Sequence, residues 1–529
     1  MTRLSVALTL LRLFSALLTP CQTQKPINIP AGFYKNGTPK SQSGRWADGN
    51  LVRYHDGAIR PIGGWLRRTS GNVIIVPLIA DASLEAIRDM FAWRDNTQES
   101  NSVYGSNLKL YHVTDGGVVK DITHAGYVPI NSGKDAFILN GYGAASYGIG
   151  PYGVAYDAGG TMPIPPDRWY STNFGEVLLT GVRNNGAMQE LDIATLTLSG
   201  VTNAPADIQD ALVSEERQVL AIGGDGEPRR FQASEVEDRT SWTPADDNQA
   251  IDRVIAGSGR LLAMKKVLNT VLILSETDAT VAQYIGPPYV YSTSLVDEQC
   301  GPLAAEALTG TARFAVWWGQ RNFWYFDGAV KKLDCEVIDF LYKDLNVGQA
   351  SKISSFTATE FSEVWWLYQS LSSTTGEVDS YVTWNYEQNT WHTGRIDRTT
   401  GSDRGVLSSV TMVSSDGELY LHEQEQTIPS GEGDVYIESG FLAIGEKHMA
   451  VRYIYPDTEN GVGTTYTLNG RQLPNATDYD YGPYAYQAER PIPCRAIGKL
   501  LKMRVDFSDT SAEYGSVDLD IVPVGTGGR

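Results

Sequence analysis

The stretch from Phe314 to Trp391 constrains this chain most. It reads FAVWWGQRNFWYFDGAVKKLDCEVIDFLYKDLN and then, past a polar joint, FTATEFSEVWWLYQS and SYVTWNYEQNTWHTG. Three times an aromatic run ends in a turn and the chain comes back, with Asp327-Gly328 and Glu387-Gln388-Asn389 as turns. Trp, Tyr, Phe and Val runs bounded by Gly, Asp and Asn are strand-turn-strand text. Seven of the 12 Trp lie between Trp317 and Trp391. Weaker copies fill much of the chain, so antiparallel β-units repeat along it.

The copies are spaced. A hairpin surrounds Asp115-Gly116-Gly117, and others turn at Asn184-Asn185-Gly186, Gly224-Asp225-Gly226 and Asp416-Gly417. Unit starts near 87, 174, 216, 258, 312 and 361 recur every 40 to 60 residues once a Gly/Tyr-rich segment is set aside. Four strands per unit at about 40–50 residues is the signature of a β-propeller. Six blades are expected, with a trailing half-unit (VTMVSSDGELYLHEQE) whose strand completes the first blade and closes the ring. Closure removes sheet edges that would otherwise pair with other chains.

The expected fold is therefore all-β, a propeller of about six blades with an additional C-terminal antiparallel β-domain. Residues 1–26 read as a signal-like or misannotated extension and 27–85 as a β-rich N-terminal segment. The propeller spans 86–427, with a Gly/Tyr-rich insertion at 140–167, and the last domain spans 428–529. The insertion lacks hydrophobic periodicity, which suits either a tether or a contact loop. Its tyrosines Tyr142, Tyr147, Tyr152 and Tyr156 are the candidate gate or contact residues.

Composition narrows function mainly by exclusion. The net charge is −19 with 43 Lys and Arg against 62 Asp and Glu, and no basic patch for gripping phosphates is visible. The four cysteines (Cys21, Cys300, Cys335, Cys494) form no CxxC pair, and the six histidines show no ligand spacing, so neither a zinc site nor a disulfide scaffold is expected. No run past the N-terminus approaches the length of a membrane span. The N-terminus itself has a basic start and an apolar run, but Arg12 interrupts the run and no small-x-small cleavage site follows. A signal peptide, an amphipathic helix and an early start codon all remain open there.

Catalysis finds little text. Ser234-Glu235-Val236-Glu237-Asp238 leading to Trp242 resembles an Asp-box without its Gly, does not recur, and reads as a blade-surface turn. Gly223-Gly224-Asp225-Gly226 resembles part of a phosphate loop but lies in a hairpin. No Gly-x-Ser-x-Gly is present, and Glu306, Asp327 and Glu363 read as exposed or turn carboxylates at strand ends. His112, His124 and His392 stand alone and read as structural or surface residues. Trp317, Trp318, Trp324, Trp365, Trp366, Trp384 and Trp391 read as packing between blades. Neighbours in a strand face opposite sides, so one of each Trp-Trp pair is free to form a sugar-binding face instead. The expectation is a non-enzymatic protein without cofactor or metal.

These residues resemble a family. The opening INIPAGFYKNGT…GRWADGNLVRYHDGAIRPIGGW and the later RRFQASEVEDRTSWTPAD are similar to virion proteins of tailed bacteriophages. So is CGPLAAEALTGTARFAVWWGQRNFWYFDGAVKKLDCEVIDFLYKDLN, followed in order by EVWWLYQS, YVTWNYEQNTWHTGR, VRYIYPD and IGKLLKMRVDF. From Ile27 onward the chain resembles tail nozzle or tail-hub proteins of short-tailed phages, which are similar to tubular tail and packaged-DNA-stabilising proteins. The resemblance implies a propeller-based subunit in a hexameric ring at the distal end of a short tail. It implies contacts with an adaptor ring and with tail fibres or a needle, and passage of double-stranded DNA without sequence-specific binding. It also implies a place in the virion, assembly in the host cytoplasm and no stable membrane anchor. Chains of that family usually begin near the INIPAG text, so residues 1–25 depart from it. The alternative from the residues alone is a secreted carbohydrate-binding or glycan-hydrolysing propeller.

Overall fold

The computed structural model describes residues 23–27, 29–70, 73–75, 77–114, 116–137, 164–425, 433–443, 448–473 and 476–524. Most of the signal-like extension and the four tyrosines Tyr142, Tyr147, Tyr152 and Tyr156 lie outside them. The chain divides into two compact units, one of Trp65–Glu425 and one of residues up to Gly64 together with those from Gln426 onward.

The first unit is a propeller of seven four-stranded antiparallel sheets. Blade 1 runs through Ile87–Arg94, Ser100–Ser106, Leu110–Val113 and Val119–Asp121. Blade 2 spans Trp169 to Gly200, blade 3 Asp210 to Val254, blade 4 Leu261 to Glu298 and blade 5 Leu308 to Leu333. Blade 6 comprises Ser354–Ala358, Glu363–Tyr368, Ser380–Asn385 and Thr390–Arg395. In blade 7, Thr400–Ser402, Thr411–Val413 and Leu419–Leu421 take their fourth strand, Leu66–Arg67, from far earlier in the chain. The first strands of successive blades neighbour one another around the axis, and Thr400–Ser402 meets Ile87–Arg94 to complete the circle.

The blade count is thus seven, and the trailing half-unit is three quarters of a blade of its own. An early strand completes that last blade, rather than a late strand completing the first. The missing signal has a physical cause. Innermost strands such as Leu308–Gly310 and Thr400–Ser402 are short and carry no apolar alternation. Blades 5 and 7 are therefore recognisable in sequence only from their second strand onward.

Blades are glued by residues from facing sheets. Trp93, Val103 and Leu110 of blade 1 pack on Trp169 and Leu178 of blade 2. Leu272 and Leu274 of blade 4 pack on Ala315, Trp317 and Phe326 of blade 5. Ile87, Tyr104 and Tyr111 of blade 1 close onto Val413 and Leu419 of blade 7. Because each sheet is covered on both faces, strands such as Glu363–Tyr368 and Ser380–Asn385 are buried at every position. Each large side chain buried this way stabilises the ring by about 2–3 kcal/mol.

The second unit is a β-sandwich. One sheet orders Val52–His55, Ala58–Pro61, Glu513–Val524, His448–Glu459 and Ile492–Gly498, with Thr23–Ile27 also pairing Glu513–Val524. The other orders Trp46–Asn50, Val435–Ser439, Leu500–Phe507, Thr465–Arg471 and Tyr479–Ala485, with Leu442–Ala443 on Leu500–Phe507. In Leu500–Phe507 burial alternates strictly, with Leu501, Met503, Val505 and Phe507 inward, as sheets with one wet face require. The two inner faces meet where Trp46 and Phe507 contact Tyr514 edge-on at 6.2 and 6.3 Å. The segment read as 27–85 is divided between the units, since its strands up to Pro61 pair with C-terminal ones.

Candidate functional site

Two places in the propeller unit gather chemistry. The first is its axis. A β-bulge between Ile87 and Asp89 changes the register where Arg88 and Asp89 sit, the kind of irregularity that re-aims side chains. Arg168 reaches Asp89 through Nε at 2.8 Å, and its other nitrogens donate to the carbonyls of Arg88, Ser351 and Ile353. The second Asp89 oxygen accepts the Trp169 backbone N–H at 2.8 Å. Arg183 pairs with Asp210 at 3.3 Å and with Glu306. Asp210 also accepts the backbone N–H of Met264 at 2.8 Å and of Ala211 at 3.0 Å. Arg88 donates through Nη2 to Glu377 at 3.1 Å, and Lys134 and Lys352 lie 3.6 Å from the same carboxylate.

Blades 1 to 6 all contribute to this cluster, directly or from adjoining loops. Burial pushes Asp89 and Asp210 up from the usual carboxylate range, with Arg168 and Arg183 respectively opposing it. Burial pushes Glu306 the same way, but Arg183, Arg168 and Lys265 outweigh it and hold Glu306 below its ordinary value. Burial lowers Lys265 and Lys352. A cavity of about 150 Å³ lies among these residues, lined in part by Arg88, Asp89, Tyr170, Arg183, Asp210 and Glu306. A Cβ on Gly105 would come within 2.5 Å of the Trp169 ring, so the close approach of blades 1 and 2 beside the cavity needs glycine there.

The second place is an open groove of about 760 Å³ between blades 5 and 6. Phe314 stacks on Tyr325 at 5.3 Å and meets Tyr386 at 5.2 Å and Trp384 at 6.1 Å. Arg313 and Glu387 add one charge of each sign to the lining. Trp384 donates its indole N–H to Asn389 at 3.0 Å, which ties the ring to the turn of its own hairpin. Aromatic faces with a few polar groups are what stacking ligands such as sugars require.

The other sequence candidates resolve differently. Glu306 is a member of the axial cluster rather than an exposed strand-end carboxylate. Glu363 is buried and accepts the Trp365 indole N–H at 3.0 Å. Their arginine and tryptophan partners are distant in sequence or on the same strand, and no local pattern distinguishes them from surface acids. Asp327 does sit in a turn, paired with Lys331 at 2.8 Å. Both members of Trp317-Trp318 and of Trp365-Trp366 are buried, because a blade has no outer face. At the Asp-box-like text, Asp238 accepts Thr240 N–H and the Trp242 indole donates to the Arg239 carbonyl, which makes a self-contained turn. His112 and His392 are buried, and His124 is exposed.

No family model and no curated protein matches the chain. Among solved structures it is similar to the β-propeller domain of Cps50 (Swd1) from Myceliophteria thermophila, at 7% identity and a TM-score of 0.37, covering 64% of this chain and 100% of that one. It is also similar to PorZ of Porphyromonas gingivalis, a bacterial surface component of the type-IX secretion system, at 9% identity and 0.33, covering 80% and 56%. A putative exported protein of Bacteroides fragilis matches at 10% identity and 0.28, covering 46% and 78%. These likenesses carry no function. The strand order and ring closure above make this chain a β-propeller protein.

Proposed function

We propose that the chain is a structural subunit of a bacteriophage tail, building a ring-shaped nozzle or hub that retains packaged DNA and conducts it during ejection. The observation that carries this reading is the partition of charge. Residues 65–425 hold 26 Lys and Arg against 46 Asp and Glu, a balance of −20, whereas the remaining residues hold 17 against 16. Duplex DNA carries one negative charge per roughly 1.7 Å. An acidic wall repels it and lets it slide, where a basic wall would bind and stall it. The passage would lie between copies, because an axis bridged by ion pairs around about 150 Å³ has no room for a duplex. On this reading the protein is not an enzyme. It forms a homo-oligomeric, sixfold ring and meets an adaptor ring with fibres or a needle. Its place is the virion, after assembly in the host cytoplasm.

Mass photometry of the purified chain, alone and with a tail-adaptor partner, tests this. A ring of about six copies in either condition is the expected result. A chain that stays monomeric with the adaptor sinks it. The aromatic groove favours one second reading, a secreted glycan-binding propeller. Retention on a glycan column that Trp384→Ala abolishes, together with recovery of the protein from periplasm or medium, would establish that reading instead.

A further inference from the structure

The axial cavity contains more donors than its own carboxylates use. The Arg88 side chain is fully buried, with 0% of its surface exposed. Only its Nη2 is engaged, by Glu377 and by the Lys134 carbonyl at 3.0 Å. Its Nε and Nη1 have no hydrogen-bond partner among the described residues. The same holds for Arg183 Nε and for the hydroxyl of Tyr170, which is 2% exposed. Arg88, Arg183 and Tyr170 all line the one cavity. A buried polar group left unpaired is costly, more so when charged, so such groups mark a missing partner.

The orphans on the cavity wall are all donors. An arginine nitrogen cannot accept, and burial with the nearby Asp210 charge holds the Tyr170 phenol protonated. The carboxylates on the wall are already engaged: Asp89 by Arg168 and Trp169, Asp210 by Arg183, Met264 and Ala211, and Glu306 by Arg183. The charge count agrees. On the cavity wall Arg88 and Arg183 face Asp89, Asp210 and Glu306, and behind them Arg168, Lys265, Lys352 and Lys134 stand against Glu377 and Asp135, so the whole cluster has six formal positive charges against five negative. One positive charge remains over.

We propose that this cavity is a binding site for one small monovalent oxyanion of the carboxylate class, taken by the free N–H groups of Arg88 and Arg183 and by the Tyr170 hydroxyl. Such an anion would act as a pin at the hub of the ring, joining blades 1 and 2 where their first strands meet. Guanidinium donors suit a planar oxyanion in geometry as well as charge. A dianion fits less well, since the wall carboxylates repel its second charge. The inference is independent of any role in a tail.

The test uses the full chain. Thermal unfolding and isothermal titration are run with sodium acetate, with sodium sulfate and, at equal ionic strength, with a bulky sulfonate buffer anion. A ligand that binds only the folded state raises the unfolding temperature saturably. The expected result is a saturable rise with acetate, a weaker one with sulfate and none with the sulfonate. Arg88→Gln should abolish the acetate response. Should that variant not fold, Tyr170→Phe decides, because it removes a hydroxyl that has no protein partner. In sulfonate it should unfold no lower than the parent, and it should bind acetate at least fivefold more weakly. An acetate response absent from the parent, matched by the sulfonate, or unchanged in Tyr170→Phe overturns the proposal and leaves water as the occupant.

Discussion

The seam between blades 5 and 6 and the propeller axis join the same sheets with opposite chemistry. At the seam, Phe323 of blade 5 meets Trp366 and Trp391 of blade 6 at 4.8 and 4.7 Å. The two indoles donate to carbonyls preceding and following blade 5, Trp366 to Ala307 at 2.9 Å and Trp391 to Asp334 at 3.0 Å. Apolar area leaves water and no polar atom of these rings is stranded, so the seam is stabilising outright. At the axis, Arg88, Glu377, Lys352 and their neighbours give up hydration that their mutual attraction only partly restores. The seam holds blades together. The axis instead fixes which residues face one another, and it penalises the loss of any single partner.

Four substitutions or conditions break or sharpen this contrast, from the largest effect down. Trp366→Ala should cost about 3–5 kcal/mol in denaturant unfolding, because a fully buried indole leaves a cavity that two sheets cannot collapse into. A cost under about 1 kcal/mol would mean the seam is not a source of stability. Glu377→Gln should cost about 3 kcal/mol, since Arg88 and Lys352, both with 0% of their side chains exposed, lose their shared counter-charge. Adding Arg88→Met to Glu377→Leu should recover part of that loss. A double variant worse than the single one would show that the pair is net stabilising.

Acid distinguishes a lone buried ring from a paired cluster. His112 donates through Nε2 to the Asn101 side-chain oxygen at 2.9 Å, and burial, with Lys120 adding repulsion, lowers its pKa to about 4. The unfolded chain titrates near 6.5 and therefore binds the proton first as pH falls. The stability held above pH 6.5 should decline between there and pH 4, by about 3 kcal/mol, and then level off. His112→Asn should flatten that limb in unfolding curves measured across the range. A limb that survives the substitution assigns the acid sensitivity elsewhere. The smallest effect is Asp327→Asn. Its partner Lys331 is 57% exposed, so the change should stay within about 0.5 kcal/mol, and a larger one would extend the axial behaviour to the surface.

The hairpins were legible because their signals are local. Asp327-Gly328, Asn184-Asn185-Gly186 and Asp416-Gly417 each turn the chain between strands that pair with each other. At Gly328, φ is +115°, a conformation that favours glycine and so leaves a mark in sequence. The axial site left none. Arg88 meets Glu377 across 289 positions, and Arg183 meets Glu306 across 123. An arginine or glutamate bound for a buried cluster is the same letter as one bound for solvent. Reading Glu306 and Glu363 as exposed follows from that ambiguity.

The sequence by itself determined that this chain is mainly antiparallel β, that its tryptophans concentrate in two neighbouring units, and that acid outweighs base by 19 charges. Turn chemistry and side-chain type act over a few residues, so they can be read in order. Tertiary structure decided the rest. It set seven blades, closed the last with Leu66–Arg67, built the sandwich from strands at both ends of the chain, and gathered scattered charges at one axis. Those outcomes depend on which distant strands find one another. That choice is made by closing sheet edges and covering both faces of every blade, and no short stretch of residues encodes it alone.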